Sequence, residues 1–218
     1  MKRRLLSIFL SLTMMFTLVP TAWAADEMQQ DDTEAQETET PAESKMNGDC
    51  GAEGADVQWS FNSNTGVLTI SGSGAMENYT SQMEESWYAL KDSISEIKIE
   101  EGVTYLGNWA FSGLTNVVKA NIPASITGLG NHIFRGDTAL TTVEWASGFN
   151  APEITDTDSK DKIYSGKYVP TSMFDGCTSL GNGEELSAWL PASFNGVGCA
   201  AFRGTQFTVD FDNWSNLN

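Results

Sequence analysis

The sequence predicts a mainly β solenoid built from short repeats, and three observations support this prediction. The pattern around Phe111 recurs 23 residues later around Phe134, and shorter versions surround Phe174 and Phe202. Apolar and polar residues alternate at the start of the repeats, and glycine recurs at fixed positions. A period of roughly 20–30 residues is typical of solenoids, in which each unit buries its apolar face only against its neighbours.

The first 24 residues have the pattern of a secretory signal peptide. Basic residues Lys2–Arg4 precede an apolar run, Leu5–Val19, and Ala22-Trp23-Ala24 supplies small residues around a cleavage point after Ala24. The alternative is an uncleaved anchor, for which the apolar run is short. We therefore expect residues 1–24 to be removed and the mature chain not to insert into a membrane.

Residues 25–48 are predicted to form a disordered acidic linker. They contain eight Asp and Glu residues against one lysine, Lys45, and no aromatic residue. Such a segment cannot bury enough apolar surface to offset its chain entropy. The whole chain carries a net charge of −17, so nucleic acids and anionic membranes are poor partners for its surface because of charge repulsion.

Residues 49–92 are predicted to form an N-terminal β-hairpin cap. Val57–Phe61 and Val67–Ser71 alternate apolar and polar residues, and the turn residues Asn62–Gly66 connect them. Glu84–Leu90 has the pattern of a short helical turn. An atypical first unit of this kind covers the apolar end that the first coil of a solenoid would otherwise expose.

Residues 93–211 are predicted to form about four coils and a closing strand at 207–211, followed by a tail at 212–218. Fourteen and twelve positions before the Phe, three of the four units have apolar residues, such as Ile97 and Ile99, which predicts a short strand. The turn that follows directs the Phe into the core and Ser112 outward. Glycine follows each Phe by two positions, where a residue without Cβ can adopt positive φ: Gly113, Gly136, Gly176 and Gly204.

The repeat spacing places an insertion near residues 148–167. Trp145 lies 23 residues after Ile122, so the third unit begins at the position that the repeat predicts. Phe174, however, comes 40 residues after Phe134. Insertions in solenoids form loops on one face. The acidic run 156–161 suggests a calcium loop, but an EF-hand requires an oxygen ligand where Lys160 stands, so a plain polar loop is favoured.

The hairpin, the run from Gly66 to Met76 and the Ala-Phe-x-Gly units together resemble the BspA-like leucine-rich repeat proteins of bacteria. The resemblance covers residues 50–211. It implies a short, right-handed leucine-rich-repeat solenoid on an exported or surface protein that takes part in adhesion or in binding host proteins.

Few residues suggest chemistry, and we expect no catalytic, cofactor or metal site. His132, the single histidine, shares its repeat position with Trp109 and is interpreted as a turn residue. Three cysteines, Cys50, Cys177 and Cys199, are an odd number, so we expect buried single thiols, with one disulfide as the alternative. The sequence therefore predicts that the protein is not an enzyme, and a hydrolase is disfavoured.

Strand residues between the inward columns must point outward and are the predicted ligand-binding residues. The Trp among them is interpreted as an anchor of a binding patch, since aromatic residues dominate interface hot spots. Alternatively, the irregular spacing before the last unit shifts the register and makes this Trp a core residue. The predicted residues are Lys98, Asn121, Glu144, Trp189 and Asp210.

Together these observations predict a secreted, non-catalytic binding or adhesion module that remains extracellular or associated with the cell surface. Its expected partner is an extracellular or host protein. The alternative is a carbohydrate-binding accessory protein, which the seven tryptophans and the acidic surface suggest.

Overall fold

The computed structural model describes residues 46–81, 84–156 and 164–209. All of them belong to the second of two contact units, 1–41 and 42–218. The predicted signal peptide, nearly all of the predicted linker and the tail at 212–218 therefore lie outside the described residues, as does the candidate calcium run from residue 157 onward.

The described residues form thirteen short strands, a 3₁₀ turn and one helical turn. The 3₁₀ turn spans Tyr88–Leu90 within the predicted helical segment, and the helix α1 spans Leu186–Trp189. The strands are β1 (Asn47–Gly51), β2 (Gly54–Asn62), β3 (Val67–Gly72), β4 (Gly74–Ala75), β5 (Glu96–Ile99), β6 (Val103–Leu106), β7 (Lys119–Ile122), β8 (Gly128–Leu129), β9 (Thr142–Trp145), β10 (Ile154–Asp156), β11 (Tyr164–Gly166), β12 (Tyr168–Val169) and β13 (Gly196–Val197).

The first sheet has six strands in the order β1-β2-β3-β5-β7-β9. Strands β2 and β3 form the predicted antiparallel hairpin, and β5, β7 and β9 stack on it in parallel. Ile122 pairs with Trp145, so the 23-residue period holds into the third unit. The mainly β solenoid with an N-terminal hairpin cap is thus confirmed. Ordered structure begins earlier than the predicted boundary, because Asn47 and Gly48 pair with β2.

Each of the first coils contains a second strand that the sequence analysis did not predict. Strands β4, β6 and β8 form a parallel three-stranded sheet, and β12 pairs with β13 in the later coils. The insertion is an antiparallel hairpin of β10 and β11 where a loop was expected.

A hydrogen-bonded ladder of turns closes the third side of the coils. The amides of Trp109, Phe111 and Gly113 donate to carbonyls of Asn131, Ile133 and Arg135 in the next coil, each at 2.9 Å. The same pattern continues through the two later turns. The prediction that Ser112 points outward is wrong: its side chain is buried, and its hydroxyl donates to the Arg135 carbonyl at 2.8 Å.

One aromatic ring from each coil forms a continuous stack through the core. Trp87 of the cap lies on Phe111, and successive ring centroids along the stack are 5.9, 5.5, 5.6 and 5.4 Å apart. All the rings but the last, that of Phe202, are fully buried. This arrangement confirms the predicted core column, whose members are Phe111, Phe134, Phe174 and Phe202.

The last coil departs from the predicted strand pattern. The helix α1 replaces the strand expected around Ala188–Leu190, and Ala188 is exposed while Leu186 and Leu190 are buried. Helical spacing fits this segment better than alternation, because the two buried leucines are four positions apart. Of the predicted closing strand, Thr208 forms a single parallel bridge to Glu185, and residues from 210 onward lie outside the described range.

Truncating a central ring of the stack should destabilise the protein far more than trimming a surface side chain. We expect Phe134→Ala to cost about 3–5 kcal/mol, because it removes buried contacts on both sides and leaves a cavity. Val118→Ala, at a valine that is 47% exposed, is the control and should cost under about 0.5 kcal/mol. Urea unfolding of both variants measures the difference, and equal midpoints would contradict the core assignment.

Candidate functional site

The outward side chains of the first sheet form the candidate site, which we call the outer sheet face. Strand register aligns these side chains across the sheet, since Asn47 pairs with Ser60, Ser60 with Thr69 and Thr69 with Lys98. On the last two strands, Asn121 pairs with Glu144. The register of Ile97 with Ala120 places Lys98 next to Asn121, so one row of polar residues crosses all six strands.

A second row runs parallel to the first and carries charges of both signs. Glu96 pairs with Lys119, and Lys119 pairs with Thr142. The Lys119 ammonium also lies 3.0 Å from the Glu144 carboxylate, which raises the pKa of Lys119. Lys98 forms a similar pair with Glu100 at 2.9 Å. Exposed pairs of this kind contribute little to stability, so their charges can be redirected toward a partner at low cost.

Asn121 has a structural role on this face. Its side-chain oxygen accepts from the Ile99 amide at 2.8 Å, and its side-chain nitrogen donates to the Ile99 carbonyl at 2.7 Å. The side chain thereby replaces a strand partner where the pairing of β5 with β7 ends after Ile97 and Ala120. Asn121 can position its neighbours Lys98 and Glu144 on the face, but its own polar atoms are already engaged.

The placement of Trp189 on an outward strand is wrong. This residue ends α1, and its half-buried ring contacts Phe174 at 5.7 Å and Phe207 at 4.8 Å between centroids. The alternative interpretation, that the irregular spacing makes Trp189 part of the core, agrees with these contacts. Asp210 lies outside the described residues, so the structure brings only Lys98, Asn121 and Glu144 of the predicted set together.

The cap extends the outer sheet face with a polar pocket that the sequence analysis missed. This pocket has a volume of about 340 Å³ and is lined mainly by hydroxyl, amide and carboxylate side chains. The signal was present in the alternation of β2, but the first two residues of the facing strand β1 lie within the predicted linker and the strand was not predicted. The polar lining residues are Asn47, Asp49, Gln58, Ser60 and Ser71.

The profile of the BspA type leucine rich repeat region matches residues 81–211 in six copies. This span is more than half of the chain. The protein belongs to the BspA-type leucine-rich repeat family. The Phe units of the sequence predict about four coils and a closing strand, whereas the profile finds six copies of the repeat in this span.

Solved structures similar to this BspA-type protein are bacterial leucine-rich repeat proteins. A leucine-rich repeat protein from Eubacterium ventriosum is 16% identical, with 71% of this chain and 59% of that chain covered and a TM-score of 0.30. A leucine rich cell surface protein from Faecalibacterium prausnitzii is 19% identical, with 74% and 40% covered and a TM-score of 0.41. The leucine rich repeat protein of T. pallidum is 18% identical, with 74% and 70% covered and a TM-score of 0.35.

This chain therefore spans 59% and 40% of the first two of these structures. A comparison with curated proteins gives no match. None of the helices among the described residues has the length and apolar character that crossing a membrane requires.

The cysteines of this BspA-type protein are free thiols in the described residues. Burial raises the pKa of Cys50 to about 12, and it also raises the pKa of Cys177. These two thiols match the prediction of buried single cysteines, whereas Cys199 is exposed. His132 lies in a turn with φ 61°, and its ring stacks on that of Trp109. Within the described part of the chain, no three His, Cys, Asp or Glu residues converge as a metal site would require.

Asp137 places a carboxyl group in the interior of the repeat core. Its Oδ1 accepts from the Leu114 amide at 2.9 Å, while Oδ2 has no hydrogen-bond partner among the described residues. The residue is fully buried, and this burial, with a smaller contribution from nearby Glu85, raises the pKa of Asp137 well above its ordinary value. A buried carboxyl group in such surroundings favours its neutral form.

The raised pKa of Asp137 makes stability depend on pH. The folded state binds the proton of Asp137 more tightly than the unfolded state does, and this tighter binding stabilises the folded state. The stabilisation is complete below the ordinary Asp pKa of 3.8 and is lost as pH rises toward the folded pKa. Asp137→Asn keeps the Leu114 hydrogen bond and cannot ionise. The melting temperature of the variant minus that of the wild type should therefore increase from pH 4 to pH 7, and a difference independent of pH would contradict the assignment.

Proposed function

We propose that this protein is an exported, non-catalytic binding or adhesion module whose ligand is an extracellular or host protein. The outer sheet face is its contact surface. The observation that supports this proposal most strongly is the aligned polar row across six strands, which ends at Lys98, Asn121 and Glu144. The basic, apolar and small-residue pattern of residues 1–24 supports export, and retention at the cell surface is part of the same proposal.

A rigid sheet suits recognition of a folded partner. The hydrogen-bonded strands fix the positions of the outward side chains, so little conformational entropy is lost when a partner binds. Charges of both signs lie side by side, as in Glu96 beside Lys119 and Lys119 beside Glu144. Such a pattern selects partners with the complementary arrangement and penalises others.

A carbohydrate ligand is the second candidate, and the polar pocket on the cap favours it. Asn47, Gln58 and Ser60 offer amide and hydroxyl groups that can hydrogen-bond to sugar hydroxyls. The pocket is continuous with the row on the outer sheet face, because Asn47 pairs with Ser60 and Ser60 with Thr69. A glycan bound there would place the protein among carbohydrate-binding accessory proteins.

Charge reversal at Lys98 tests the proposed surface. The wild type, Lys98→Glu and Lys91→Glu are titrated against a panel of purified extracellular-matrix and plasma proteins and against a glycan array. Lys91 lies beside the 3₁₀ turn of the cap and pairs with Asp92, so its reversal makes the same charge change away from the sheet. We expect Lys98→Glu to weaken binding to a panel protein by about tenfold or more, the equivalent of about 1.4 kcal/mol, and Lys91→Glu to change it less than twofold.

Equal effects of the two reversals would contradict the proposed surface. Binding to a defined oligosaccharide but to no protein on the panel would favour the carbohydrate ligand, and Gln58→Ala should then weaken it.

A further inference from the structure

The turn side of the solenoid carries a second cluster of side chains, which we call the turn face, and its arginines reach the surface. It is formed by three positions of each coil: three before, two before and one after the core Phe. Trp109, His132, Arg135, Asp175 and Arg203 are its large or charged members. None of them belongs to the outer sheet face.

Trp109 and His132 form a platform at the start of this face. Their rings stack with centroids 4.1 Å apart and planes at 18°, and the Arg135 guanidinium lies 5.2 Å from the Trp109 ring. Both residues adopt φ 61°, a left-handed conformation that is unusual for bulky side chains. Ser172 and Ala200 occupy the same repeat position with positive φ. The fold therefore accepts small residues here and does not require the two rings.

Two arginines share a single carboxylate next to the platform. Asp175 accepts from Arg135 Nε at 3.2 Å and from Arg203 Nε at 2.8 Å, and Arg203 Nη2 donates to it as well. The side chain of Asp175 is only 7% exposed, whereas those of Arg135 and Arg203 are 38% and 67% exposed. The pKa of Asp175 is lowered by the two arginines, chiefly by its hydrogen bonds with Arg203. The carboxylate is thus held inward while both guanidinium groups face solvent.

The turn face differs in charge from the rest of the protein. Its positions in four coils contain two arginines and one aspartate, while the chain as a whole has a net charge of −17. The remaining positions are uncharged or histidine. The residues three positions before the Phe are Asn108, Asn131, Thr171 and Cys199. Those two positions before it are Trp109, His132, Ser172 and Ala200, and those one position after it are Ser112, Arg135, Asp175 and Arg203.

We propose that the turn face binds a short acidic polypeptide segment of a partner protein. Carboxylates of the segment pair with Arg135 and Arg203, whose planar guanidinium groups suit carboxylates in bidentate geometry. Trp109 supplies apolar contact area beside them, in keeping with the frequency of Trp and Arg among interface hot spots. The segment is short because the acidic surroundings repel an extended polyanion. The surface is separate from the outer sheet face and does not depend on the function proposed for it.

Fluorescence anisotropy with a fluorescein-labelled tetraglutamate peptide tests this proposal on the full-length chain. We expect binding that weakens as salt is raised, because exposed charge pairs are screened. The double variant Arg135→Gln/Arg203→Gln should bind about tenfold more weakly or worse. The control Lys98→Gln removes one positive charge from the outer sheet face and should change the affinity less than twofold.

A second variant separates binding from folding, since the double variant also removes the partners of Asp175. Trp109→Asn keeps both arginines and introduces a residue that tolerates the left-handed conformation. It should retain the wild-type melting temperature within a few degrees and weaken peptide binding several-fold. Absence of peptide binding to the wild type, wild-type affinity of the double variant, or binding of oligogalacturonate in place of the peptide would each overturn the proposal.

Discussion

The stack of aromatic rings is the constraint on which the rest of this structure depends. Trp87, Phe111, Phe134, Phe174 and Phe202 place one ring per coil on a single line, with neighbouring centroids 5.4–5.9 Å apart. A coil of about 23 residues has too small an interior to form a core alone, so its ring must pack on the rings of its neighbours. The 23-residue spacing returns Phe134 to the line of Phe111, and the longer spacing before Phe174 includes the hairpin of β10 and β11.

The stack also determines what the surface can do. Because each ring fixes its coil against the next, the turn amides meet carbonyls one coil away, as Phe111 meets Ile133 and Phe134 meets Met173. The strands of the first sheet are held in register by the same spacing, and their outward residues form rows. The two proposed binding surfaces are therefore consequences of one core arrangement, although their chemistry differs: mixed charges on the sheet and arginine with tryptophan on the turns.

The core column and the strands β5, β7 and β9 could be predicted because apolar periodicity reports burial directly. The predicted hairpin was equally visible in the alternation of Val57–Phe61 and Val67–Ser71. Strand β1 was not, because an edge strand that begins Asn-Gly-Asp has the composition of the acidic linker before it. Its pairing depends on hydrogen bonds with the backbone of β2, and such bonds do not require a particular amino-acid composition.

The candidate site was predicted only in part, for a related reason. Lys98 and Glu144 follow from strand alternation, but Trp189 was assigned by extrapolating a repeat whose spacing changes before the last coil. A change of register moves every side chain of a strand to the opposite face, and here the strand itself is replaced by α1. The turn face escaped prediction because its positions hold Trp, His, Ser and Ala in equivalent places. Only their proximity across coils identifies them as one surface.

Native-state hydrogen exchange tests most directly whether the ring stack unites the coils. The amides of Phe111, Phe134 and Phe174 each donate to the following coil, so they report on three successive interfaces between coils. If stacking makes the coils one cooperative unit, all three amides exchange with the same free energy, equal to that of global unfolding. Exchange with clearly different free energies, in which one coil opens while its neighbours stay closed, would contradict this account.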